Sequence, residues 1–103
     1  MFVIIRSLKI EKGHLERYKD NFKKESIVMK SPGFIKKELF IQTKNREYDL
    51  VKTYIYFENK QAYYVWQGSP EHIAMHKNKK AGNIEKPAEI IETSKEEYEV
   101  IEY

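Results

Sequence analysis

The chain contains no cysteine, which removes disulfides, cysteine zinc sites and thiol nucleophiles together. The absence fits a reducing compartment. Proline and glycine are scarce, at three and four of 103 residues, and they punctuate the chain at only a few places, chiefly "SPGF" (31–34) and "GSP" (68–70). Long apolar runs are also missing. The run at the start, Phe2 to Ile5, ends after four residues at Arg6, too short for a signal-peptide core and far too short for a bilayer. No other segment approaches membrane length, so the expectation is a soluble, cytoplasmic protein with no membrane partner. Internal repeats and low-complexity segments are absent as well.

What is there describes one folded unit. Hydrophobic residues make up 41% and aromatics 14%, enough for a packed globule rather than a disordered chain. The length suits a single domain, 1–103, with one core. Charged residues reach 34% and the net charge is +3, but the distribution is uneven. Residues 1–80 carry 17 Lys and Arg against 9 Asp and Glu, whereas residues 81–103 carry 2 against 7. A basic body attracts phosphates or carboxylates. Nucleic acid is not expected as a partner, because acids interleave the bases and no RNP-type signature occurs.

The pattern alternates between two periods. "FVIIRSLKI" (2–10) places Phe2, Ile4, Arg6, Leu8 and Ile10 on one face of a strand. After the turn "EKGH", helical spacing begins at Leu15, Tyr18 and Phe22, with Ile27 and Met29 near the helix end. "FIKKELFIQT" (34–43) and "YDLVKTYIYFE" (48–58) read as a hairpin across the polar turn "KNRE". A second helix opens at "NKQAYYVWQ" with Asn59 as its cap, breaks at "GSP", and resumes with Ser69 capping and Pro70 in the first turn. A polar loop, 78–88, has a length that suits either a lid or a plain connector. "EIIETSKEEYEVIEY" alternates to the end and reads as a last strand, with Tyr98, Val100 and Glu102 on one face. The order β-α-β-β-α-β predicts an α+β, ferredoxin-like fold with both helices on one face of an antiparallel sheet. Apolar residues on the other face, such as Val3, Ile5, Tyr54 and Tyr56, then need a second cover. A two-fold homodimer with sheets face to face provides it.

Chemistry concentrates in "VWQGSPEHIAMHKNKK" (65–80), which holds the single tryptophan, Trp66, together with His72, His76 and a run of lysines. His72 and His76 lie at i and i+4, but two histidines without further ligands do not make a structural zinc site. An apolar pocket between sheet and helix, with a neutral imidazole at its mouth, suits a flat apolar ligand bearing a metal. Lysines after His76 would suit acidic groups at its rim.

In these residues the chain resembles the IsdG-type haem-degrading monooxygenases of the antibiotic biosynthesis monooxygenase superfamily, which are dimeric α+β barrels. The resemblance runs through "KG" after the first strand, "PGF" before the second, "NKQAYYVW" opening the second helix, and Trp66 ten residues before His76 in "AMHK". It implies haem as both substrate and cofactor, with O2 and an external electron donor, a reductase of unknown identity. It makes His76 the ligand of haem iron, with Trp66 pressing the porphyrin out of plane and the basic Lys77 and Lys80 at the rim. His72 becomes a bystander.

One departure stands on the first strand. Where the resemblance calls for a catalytic asparagine, this chain has Arg6, larger, always charged and only a donor. Strand parity directs Arg6 into the pocket, where it can donate to a bound peroxide, pair with a propionate or occupy the distal space. The resemblance and its departure at Arg6 imply three functions: a haem-degrading monooxygenase with catalytic residues Arg6, Trp66 and His76, a non-catalytic haem carrier or sensor, or a cofactor-free monooxygenase of a small quinone-like substrate, which the same superfamily also contains.

Overall fold

The computed structural model describes residues 1–24, 26–74 and 87–103. The predicted order holds: β1 (Phe2–Glu11), α1 (Leu15–Lys23), β2 (Phe34–Gln42), β3 (Tyr48–Phe57), α2 (Lys60–Gln67) and β4 (Ile90–Glu99). The strands form one antiparallel sheet in the order β2-β3-β1-β4, the ferredoxin-like arrangement. β1 and β3 pair without a slip from Phe2 opposite Phe57 to Glu11 opposite Tyr48. This central pairing fixes which side chains share a face.

The inner face carries the core. Phe2 and Ile4 of β1, Phe57 of β3, Val28, and Tyr63 and Trp66 of α2 are buried against one another. Tyr63 sits 5.7 Å from both the Phe2 and Phe57 rings, and such offset aromatic contacts add to simple burial. Asn59 caps α2 as expected, its side-chain oxygen accepting from the Ala62 amide at 2.8 Å.

Two boundaries differ from the sequence reading. α1 stops at Lys23, because Lys24 turns to extended backbone (φ −71°, ψ 142°), and Ile27–Lys30 form a separate 3-10 turn. Val28 rather than Ile27 or Met29 enters the core, and those two stay exposed. The exposed end of α1 is closed from the sheet instead: the Lys37 ammonium donates to the carbonyls of Phe22 at 2.8 Å and Lys24 at 3.2 Å, a cation at a helix C-terminus. At the other boundary, β4 ends at Glu99, with residues 100–103 outside the strand. The Val100 amide donates to the Met1 carbonyl at 2.8 Å.

The outer face is aromatic and lies opposite the helices. Phe40 and Tyr54 stack at 4.6 Å, and Tyr54 and Tyr56 at 6.3 Å. Val3 is only 5% exposed there because Tyr56 and Tyr98 flank it in register. Burial raises the Tyr56 phenol to about 12, helped by the Glu38 carboxylate and by Tyr54. Phe40 and Tyr98 remain 49% and 47% exposed.

"PGF" has a specific steric origin. Gly33 adopts φ +83°, and an added Cβ would lie 2.5 Å from the Ala62 Cβ of α2. Its carbonyl also accepts from the Glu58 amide at 2.8 Å. Only glycine satisfies both the left-handed backbone and the close approach of α2. Gly33→Ala is expected to destabilise the domain by about 2 kcal/mol or more. Thermal unfolding should show a loss of roughly 8–16 °C in Tm; an unchanged Tm would contradict the packing described.

Candidate functional site

β1 supplies the floor of a cavity of about 350 Å³ between the sheet and the helices. Arg6 and Leu8 come from β1, Val51, Thr53 and Ile55 from β3, and Lys37 and Leu39 from β2. The register explains this grouping, since Arg6 faces Thr53 across β1 and β3 and Thr53 faces Leu39 across β3 and β2. Tyr18, Asn21 and Phe22 of α1 form one wall, and Trp66 and His72 another. The gap exists because α1 is short and α2 packs at the far end of the sheet over Phe2, Ile4 and Phe57.

Arg6 lies on this inner side, as strand parity requires, but it is not a buried arginine. It is exposed, and among the described residues no carboxylate forms an ion pair with it. Its register neighbour on β4 is Lys95, a second cation whose ammonium donates to the Tyr63 hydroxyl at 2.6 Å. Arg6 also borders a smaller recess, about 30 Å³, with Tyr63, Trp66 and His72.

Trp66 is 8% exposed and belongs at once to the core and to the cavity wall. His72, expected to stand aside from the site, packs against Trp66 and lines the cavity. α2 breaks at Gly68, helical backbone resumes at residues 70–74, and the Ser69 hydroxyl caps it by accepting from the His72 amide at 3.2 Å. The imidazole then lies edge-on to Trp66 at 5.2 Å, with Nδ1 at 2.9 Å from the Gln67 carbonyl. A carbonyl only accepts, so in that contact Nδ1–H is the donor. His76, Lys77 and Lys80, and the loop 78–88 up to residue 86, lie outside the described residues.

Arg6 and Lys37 are the only charged side chains among the described residues lining the larger cavity, and both are cations. Apolar side chains form most of the remaining surface. An anionic, flat, largely apolar ligand matches this combination.

The antibiotic biosynthesis monooxygenase family matches residues 1–78. The chain belongs to that family. Among solved structures it is similar to an antibiotic biosynthesis monooxygenase of Bacillus cereus, at 24% identity and a TM-score of 0.81, covering 99% of this chain and 94% of that one. It is also similar to the haem degrader MhuD of Mycobacterium tuberculosis, with two haems bound in its active site, at 26% identity and a TM-score of 0.67, covering 100% and 98%. SnoaB, a cofactor-independent oxygenase of Streptomyces nogalater, matches at 8% identity and a TM-score of 0.61, covering 99% and 94%. The Bacillus and SnoaB likenesses concern the fold. No curated protein matches the sequence. Among the described residues, no helix is long and apolar enough to cross a membrane.

The two named cavity residues should separate in a stability measurement. Arg6→Asn removes an exposed cation and is expected to change unfolding free energy by less than about 0.5 kcal/mol. Trp66→Ala empties a core position and should cost about 3 kcal/mol or more. Urea unfolding of both variants checks this, and a large loss in Arg6→Asn would show that Arg6 is a structural partner instead of a ligand-facing one.

Proposed function

We propose that this protein is a haem-degrading monooxygenase whose substrate lies in the cavity between the sheet and α1. The carrying observation is the cavity itself, apolar, walled by the buried Trp66, and charged among the described residues only by Arg6 and Lys37. A porphyrin has the same division, a flat apolar ring with two carboxylates. The full-length likeness to MhuD and the ten-residue spacing of Trp66 to His76 support the same reading.

In this proposal His76 holds the iron through a neutral imidazole nitrogen, and Trp66 rests against the ring. Lys77 and Lys80 attract its carboxylates. Haem, when bound, supplies the iron chemistry that activates O2 and the macrocycle that is opened, with electrons from an external reductase. The chain's own part is positional. Leu8, Val51, Ile55 and Phe22 exclude water. Trp66 is held from behind by the core and from the side by His72, so it yields little to a ligand pressed on it. Arg6 presents donors only, which stabilises negative charge that develops within reach of its guanidinium or pairs with a carboxylate.

The aromatic outer face belongs to the same proposal. A second copy laid against Phe40, Tyr54 and Tyr56 would cover it, giving a two-fold homodimer in the cytoplasm.

Haemin titration of the purified protein is the test. A 1:1 Soret band should form, and His76→Ala should lose it. Reductant under air should then bleach the band and release iron; with the band still formed, Arg6→Asn should slow bleaching if the guanidinium stabilises developing charge and speed it if the guanidinium fills the distal space. Absence of a specific band, or a band unchanged in His76→Ala, would overturn the haem reading and leave the cofactor-free one. A stable band under reductant and air would identify a carrier or sensor, the outcome an obstructive Arg6 favours. Sedimentation of the same sample should give twice the 12.4 kDa chain mass; a monomer would overturn the dimer.

A further inference from the structure

β4 brings a second cation beside Arg6. The register sets Arg6 opposite Lys95, and residues directly opposite on paired strands point to the same face, here the face that carries the helices. Like charges in that arrangement repel, and the neighbour of Arg6 on the other side, Thr53, is neutral. Glu97, on the same face of β4, lies 3.9 Å from the Lys95 ammonium, at the limit of an ion pair. Arg6 has no carboxylate partner among the described residues.

Lys95 is held in place despite its exposure. Its ammonium donates to the Tyr63 hydroxyl at 2.6 Å and lies 5.4 Å from the centroid of that ring, which is itself buried in the core. Tyr63 and Arg6 in turn border the same small recess with Trp66 and His72, and Arg6 continues into the larger cavity. The two cations therefore stand along one margin of the cavity. Lys95 spends a donor on Tyr63 and Arg6 spends none on a described carboxylate, so both keep donors for a ligand. Lys37, the other cation of the cavity, differs, because the Phe22 and Lys24 carbonyls already take two of its donors.

We propose that Arg6 and Lys95 form a carboxylate subsite at the β1–β4 margin of the cavity, which takes the anionic group of a flat ligand and fixes which way round the ligand enters. This rests on the reading of the cavity as a site for a flat anion and deepens it, by assigning the anion to this pair rather than to Lys37. The planar guanidinium matches the two oxygens of a carboxylate, and the ammonium adds a point charge beside it. A bound anion also relieves the repulsion between the two cations, so the ligand-free sheet is already biased toward taking one up. The carboxylates of a porphyrin meet the requirement, as do those of simpler aromatic acids.

Two flat probes separate charge from shape: pyrenecarboxylate and the neutral pyrenecarboxamide. Trp66 is the only tryptophan, so energy transfer from its indole to pyrene reports binding at the cavity wall. Titration of the full chain should show the carboxylate binding about tenfold tighter than the amide. Arg6→Gln and Lys95→Gln should each cut that preference severalfold. Glu97→Gln should raise it by removing the competing carboxylate, and Lys44→Gln, on the turn between β2 and β3, should leave it unchanged. The ratio of affinities is read on folded protein, so a general loss of stability does not mimic the result. Equal affinities in the unmodified protein, no binding of either probe, or a preference undiminished in both Arg6→Gln and Lys95→Gln would each overturn the inference. So would a preference lost in Lys37→Gln alone, which assigns the anion to the other cation. Failure of haemin to bind while the preference persists overturns the haem reading alone; haemin binding through His76 with no preference between the probes overturns this inference alone.

Discussion

The unbroken pairing of β1 with β3 is the constraint on which the site depends. With period-two alternation, a one-residue slip would send Arg6 and Leu8 to the outer face and bring Ser7 and Lys9 under the helices. The pairing holds through ten rungs because both strands are rich in β-branched and aromatic residues and sit in the middle of the sheet. It places Arg6 opposite Thr53 and the apolar Ile4 and Ile55 beside it. The cavity floor is a consequence of strand register, and the helices only decide how much of it is left open.

How much is left open follows from where the two helices are pinned. α2 is held close to the sheet at one end by Gly33, whose missing side chain lets Ala62 approach, and by the Phe2, Phe57 and Tyr63 rings. α1 is held by polar ties at its margins: Lys37 on its last carbonyls and Arg17 and Tyr18 on Glu89. None of its residues is fully buried. A helix anchored by its edges rather than by a packed face leaves space beneath it, and that space is the cavity. The same economy marks the turn after β1, where Lys12 neutralises the buried Asp49 at 2.5 Å and bonds the Thr43 carbonyl at 3.0 Å.

The sequence made the element order, the facing of Arg6 and the cap at Asn59 legible, because each rests on local spacing: alternation, helical period and a single side chain reaching three residues ahead. It misplaced the end of α1, where Ile27 and Met29 continue the helical apolar pattern while the backbone leaves the helix at Lys24. It also extended the last strand past Glu99, since alternation persists in 100–103 while the strand pairing stops at Glu99. The role of His72 was hidden for a different reason. Its distance to His76 in sequence is informative, whereas its contact with Trp66 arises only because the chain bends at Gly68. The Tyr18–Glu89 bond joins residues 71 positions apart, and no periodicity connects them; a lone glutamate beside "PAEII" gave no signal.

A crystal structure of the haemin-loaded protein, with iron located by anomalous scattering, tests the central claim most directly. One iron site per chain is expected inside the cavity, with the porphyrin against Trp66 and within reach of Arg6. Iron located instead on the outer face, beside the stacked Phe40, Tyr54 and Tyr56 rings, would contradict it.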